Sequence, residues 1–241
     1  MPLTSRFAKT LAVAALPLAL AACSSGSTDS SSHTSAASQD KPAKDPNAGL
    51  MTGTQLKKAL APASAFPSHL TAVKDGFADS GSEFMSPQSR STAKPDCSKF
   101  ENSTWLDVSG YKGGVSFAQG DYANQDQTEE MTQELDAFQG TTATDVMKNV
   151  QAAATACAAF TDLDDHSKVE LAGRATPGLG DEAYTITVTS GHWESGTTLI
   201  AVRVGGTVAT VMSSAGSDNG AANAAKLAGN LADSLKAATT S

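Results

Sequence analysis

The sequence predicts an α+β domain in which an antiparallel sheet packs against two long helices. Three observations carry this. Residues 142–160 and 219–238 repeat apolar side chains at steps of three and four, which is the helical period. Between them, residues 168–212 switch to a period of two and break only at turn residues. Strands joined by short turns, with the helices set apart, imply antiparallel pairing.

Each element has its own signal. Leu56, Leu60 and the Lys57-Lys58 pair suggest a short helix before Pro62, and 67–77 reads as a second short piece. Residues 78–98 are rich in Ser, Gly, Pro and Lys and read as irregular. Cys97 opens a helical turn toward Trp105. Val115 and Phe117 alternate with polar neighbours, which indicates a strand. Residues 131–138 are short and stop at Gly140, which favours a strand over a helix.

The helix at 142–160 places Val146, Val150, Ala153, Ala154, Cys157 and Phe160 on one face, with Thr142 and Asp145 as a weak cap. Lys168 to Ala172 is a short strand. In 184–189 the large residues Tyr184, Ile186 and Val188 point one way and threonines the other, as in a half-buried strand. The segment SGHWESG (190–196) leads into a strand at 198–204. Gly205-Gly206 between two β-branched runs then signals a tight hairpin into 207–212. The last helix carries Ala224, Leu227, Leu231 and Leu235 and should close over the sheet. Both helices are expected to bury their stripes on one sheet face. No internal repeat is present.

The N-terminal segment has a different logic. Arg6 and Lys9 are the only charges before Cys23, and 11–22 is apolar and small. That run is shorter than the roughly 20 residues a spanning helix needs, so it reads as an export signal and not as an anchor. Leu20-Ala21-Ala22-Cys23 resembles the bacterial lipobox. The resemblance implies that the chain is cut before Cys23 and that the cysteine sulfur carries a diacylglycerol, with palmitate-class acylation. Two acyl chains make such an anchor stable.

The expected organisation is a lipoprotein signal at 1–22, lipidated Cys23 with a linker over 23–49, and a domain over 50–241. Residues 24–49 contain no Leu, Ile, Val or aromatic side chain, and such composition does not offset ordering entropy. As a flexible coil the linker would reach about 30 Å. His33 within it has no framework to act on.

Charge narrows the partners. The net charge is −8, and loss of 1–22 removes Arg6, Lys9 and no acid, giving −10. So acidic a surface repels nucleic acid and anionic headgroups. The expected partners are the membrane, through the lipid anchor, and an unidentified small molecule or envelope protein; nucleic acid is excluded. In an oxidising exterior, Cys97 and Cys157 read as a disulfide, with buried free thiols as the alternative.

No constellation points to catalysis. A Gly-x-Ser-x-Gly elbow is absent, and Gly110-Tyr-Lys-Gly-Gly114 lacks phosphate-loop spacing. DLDDH (162–166) groups carboxylates with His166, but a calcium loop needs glycine where Ser167 stands, so it reads as a solvated turn. His69 and His192 have no partner at ligand spacing. Asp181 and Glu182 read as a turn feeding a strand, with acid–base work as the alternative. No catalytic residue, metal or cofactor is expected. Trp193, in a connection flanked by glycines, is a candidate ligand or partner contact, because an outward indole can stack; the alternative is that it folds back over the sheet edge.

Taken together, the lipobox, the Ser/Thr linker, the helix carrying Cys157, the Gly180-Asp-Glu-Ala183 step into a strand and the hairpin ending in a helix resemble the PknH-like extracellular sensor domains. These occur in mycobacterial kinases and in stand-alone actinobacterial lipoproteins. The resemblance covers about 50–238 and implies a twisted antiparallel sheet with two long helices around a cleft, and a binding role. The departures are one cysteine pair where the kinase domain has two, and no aromatic residue before Cys157 on its helix. A more distant resemblance is to the LpqN-type lipoproteins. The expected function is a non-catalytic ligand-binding or sensor-like domain held on the outer face of the membrane. The alternatives are an envelope hydrolase using Asp181, Glu182 or Asp164, and an accessory subunit of an envelope complex.

Overall fold

The computed structural model describes residues 44–162 and 165–239. Three helices occur among them: α1 (Gly53–Ala59), α2 (Thr142–Ala156) and α3 (Ala221–Thr239). Helix α1 starts at a capping box. Thr52 accepts from the Gln55 N–H at 3.4 Å, and the Gln55 side chain accepts from the Thr52 N–H at 2.8 Å.

The strands are β1 (Thr71–Ala72), β2 (Ala78–Asp79), β3 (Ser116–Ala123), β4 (Glu130–Ala137), β5 (Ala159–Thr161), β6 (Lys168–Ala175), β7 (Glu182–Ser190), β8 (Thr197–Val204) and β9 (Thr207–Ser213). They form one sheet in the order β1-β3-β4-β9-β8-β7-β6-β5, with β2 also on β3. Every pairing is antiparallel. The β8–β9 hairpin closes on Gly205 and Gly206, Val204 facing Thr207, and Gly205 takes φ +58°. The architecture is α+β with a large antiparallel sheet.

One expectation is overturned: the helices do not share a sheet face. Helix α3 and α1 cover one face, with Leu56, Ile200, Val202, Ala209, Val211, Leu227 and Leu231 in a single core. Helix α2 covers the opposite face with Phe100, Trp105, Leu199, Ala201, Val208 and Met212. The cause lies in β8 and β9, which are apolar at both parities. A strand buried on both sides reads as a continuous apolar run and needs cover twice. Leu227, Leu231 and Leu235 are fully buried, and each contributes about 1.5–3 kcal/mol by leaving water.

Smaller corrections follow. Helix α2 stops at Ala156, so Phe160 belongs to strand β5 and not to the helical stripe. Residues 67–77 hold the two-residue strand β1. Residues 78–98 begin with strand β2.

The structure joins Cys97 to Cys157, Cα atoms 5.5 Å apart, closing a loop of sequence separation 60. The bond pins the 3₁₀ turn at Cys97–Glu101 to the C-terminal cap of α2. No helix among the described residues is long and apolar enough to cross a membrane.

Candidate functional site

Strand β4 separates two environments. Met131, Leu135 and Ala137 enter the core under α3. Gln133 faces the same way, where its side chain is pinned by both backbone groups of Ala61, at 2.8 and 3.1 Å. The alternate positions, Glu130, Thr132, Glu134 and Asp136, must face the other side. The β3–β4 register puts Asp121 opposite Thr132, Gln119 opposite Glu134 and Phe117 opposite Asp136. The result is an acidic band on the sheet face that α2 covers only farther along, over β6 to β9.

Two of these acids are buried. Asp136 is buried, and its Oδ1 accepts the Gly114 N–H at 2.8 Å. Only glycine fits at 114, because a Cβ there would run into the Ala137 backbone. Asp121 is 5 % exposed, and its Oδ2 is enclosed with no hydrogen-bond partner among the described residues. The chain crosses Asp121 from the sheet edge. The Val73 N–H bonds the Asp121 carbonyl at 2.9 Å, and Gly76 packs against its side chain.

Electrostatics follow from this geometry. Among the described residues, no lysine, arginine or histidine forms an ion pair with Asp121 or Glu130. Burial, and then the neighbouring Glu130 charge, push the Asp121 carboxyl up to about 7 from 3.8. Burial raises Glu130 as well. The Glu130 backbone is held in place by Ser214, whose side chain and N–H bond it at 2.9 Å on either side. Burial thus makes both carboxyls hold their protons to higher pH than exposed acids do. Such a pair accepts hydrogen bonds, attracts a cation or exchanges a proton.

The residues singled out in the sequence lie elsewhere. Asp181 Oδ2 accepts from Arg203 at 3.1 Å and from the Gly205 N–H at 2.7 Å. Glu182 accepts from Gln151 at 2.9 Å and lies 3.7 Å from Arg203. These two acids clamp the β8–β9 hairpin and tie α2 to the sheet. Trp193 is half-buried and packs on the α2-side core. Cys23 and Asp164 lie outside the described residues. His69 contacts Glu129, and His192 and His166 lie near Asp165. Among the described residues no three acidic, histidine or cysteine side chains are grouped to hold a metal.

The other face carries an open groove of about 420 Å³ where Ala61, Pro62 and Ser64 meet Lys226, Asn230 and Asp233 of α3. Its lining mixes Ala61, Pro62 and Ala65 with polar side chains, and its two titratable groups, Lys226 and Asp233, are exposed.

Sequence reasoning found β4 as a strand but missed the acidic band. The signal was present in EMTQELDA (130–137), where polar and acidic residues occupy every second position. That pattern ordinarily marks a solvated face.

No family model and no curated protein matches the chain. Its fold is similar to the crystal structure of the extracellular domain of PknH from Mycobacterium tuberculosis, with a TM-score of 0.55 and 16 % identity. The match covers 78 % of this chain and 97 % of that one, so nearly the whole of that extracellular domain has a counterpart here.

Proposed function

We propose that this chain is a lipid-anchored, extracytoplasmic domain that binds a ligand and does not transform it. The likeness of fold to an extracellular domain, over almost all of that domain, carries the reading. The basic, apolar and small-residue start ending at Cys23 supports export and acylation, with 1–22 removed and 23–49 as the spacer. The acids first suited to hydrolysis, Asp181 and Glu182, are engaged in holding Arg203, Gln151 and Gly205. A buried, uncompensated acid beside a second acid is the kind of feature that binding sites retain at a cost in stability.

Two measurements test this in the native host. In cell fractionation, the parent protein should pellet with membranes and Cys23→Ser should not; a variant that still pellets overturns the anchoring. Native mass spectrometry of protein purified from the host should show a retained, chemically intact ligand released on denaturation. An enzyme is the second reading, favoured by the raised Asp121 and Glu130 carboxyls. Cleavage of the retained ligand during incubation, lost in Asp121→Asn, would establish it instead.

A further inference from the structure

Resting on the ligand-binding reading above, we propose that Asp121 and Glu130, with Thr132 opposite Asp121, bind an organic cation bearing N–H donors, a primary ammonium or guanidinium group. Asp121 is nine-tenths buried or more, and its Oδ2 has no donor among the described residues. Glu130 occupies the same pleated face of β4, two residues before Thr132. Asp121 and Glu130 are thus diagonal neighbours across the β3–β4 pair, within reach of one another's side chains.

A buried carboxylate without a partner is costly, and a like charge beside it adds to the cost. A cation with two or more N–H groups removes both penalties together. It donates to the empty Oδ2 and to Glu130, and it cancels the repulsion between them. Among the described residues no lysine, arginine or histidine ion-pairs with either acid, and Lys57, Lys168 and Arg203 pair with other acids. The acidic chain as a whole draws cations toward the site. A metal ion fits less well, because no third ligating acid, histidine or cysteine joins the pair among the described residues. Hydrogen bonds tolerate the wider separation of diagonal strand neighbours, whereas coordination at metal–oxygen distances does not.

The test is a titration of full-length protein at pH 7.5, followed by NMR of the backbone amides. The probe is 1,4-diaminobutane, with calcium chloride and an equal ionic strength of sodium chloride as separate arms. The diamine should give saturable shifts confined to 119–123 and 129–134, and sodium chloride should give none there. Asp121→Asn should weaken the diamine at least tenfold, Glu130→Gln severalfold, and Glu170→Gln, an exposed acid on β6, not at all. Both site variants are isosteric, and thermal melts establish that they fold. No saturable shift, equal binding by Asp121→Asn, or saturation by calcium but not by the diamine overturns the proposal. A null titration alongside a ligand retained in native mass spectrometry overturns the cation assignment and leaves the binding function standing. A null titration with no retained ligand overturns both.

Discussion

Two pairs of carboxylates stand on the same sheet and behave as opposites. Asp181 and Glu182, at the start of β7, face Arg203, Gln151 and the Gly205 N–H. Asp121 and Glu130, on β3 and β4, face each other and no cation among the described residues. The residue types are the same, so chemistry alone does not separate them; the neighbours do. The compensated pair is architecture, and the uncompensated pair carries a cost in burial and repulsion that no neighbouring cation offsets among the described residues. Acidic composition says nothing about function until the partners of each acid are known.

The largest expected effect comes from removing the uncompensated charge. The folded state raises the Asp121 carboxyl from 3.8 to about 7, so between these values the folded protein holds more proton than the unfolded chain. Stability therefore falls as pH rises across that window, and the full cost is present above pH 7. Asp121→Asn should stabilise the protein at pH 8 by up to about 4 kcal/mol and change little at pH 3.5. Urea unfolding at the two pH values checks this, and a gain that is equal at both sinks the electrostatic account.

Breaking the compensated pair should have the opposite sign and be smaller. Arg203→Met leaves Asp181 and Glu182 without their shared cation and should destabilise by about 1–3 kcal/mol. The loss should appear as faster hydrogen exchange in the β8–β9 hairpin. Stability equal to the parent's would show that the clamp is decorative.

Glu130→Gln removes the second cause of the Asp121 shift and leaves burial, the first. The Asp121 carboxyl should titrate below about 7 by a fraction of a pH unit, as read by carboxyl-carbon NMR of the labelled side chain, while staying well above 3.8. A return to the ordinary aspartate range would mean that Glu130, and not burial, is dominant. The smallest effect belongs to Lys168→Ala. It removes a fully solvated pairing with Glu170 and should leave the melting temperature within error.

Most of the fold was legible because its signals are local. Period two in β7, glycines between β8 and β9, and the leucine stripe of α3 each specify an element from neighbouring residues. The candidate site was half legible. The alternation in 130–136 marks a strand with an acidic side, but whether that side meets water depends on chain far away in sequence. The crossing at Val73 and Gly76 encloses Asp121, and the turn at Gly114 encloses Asp136. Trp193 shows the same limit, since its glycine-flanked position says nothing of the core that partly covers it.

By itself the sequence determined the kinds of element, their order and the antiparallel hairpins, because each rests on a periodicity or a turn residue within a few positions. It also determined the acidic charge and which two cysteines of the domain could meet. Only the tertiary structure decided that α2 and α3 lie on opposite faces, that Asp181 has an arginine and that Asp121 has none among the described residues. Those outcomes depend on which side chains are brought together across the sheet, and water is excluded by neighbours that no local pattern names.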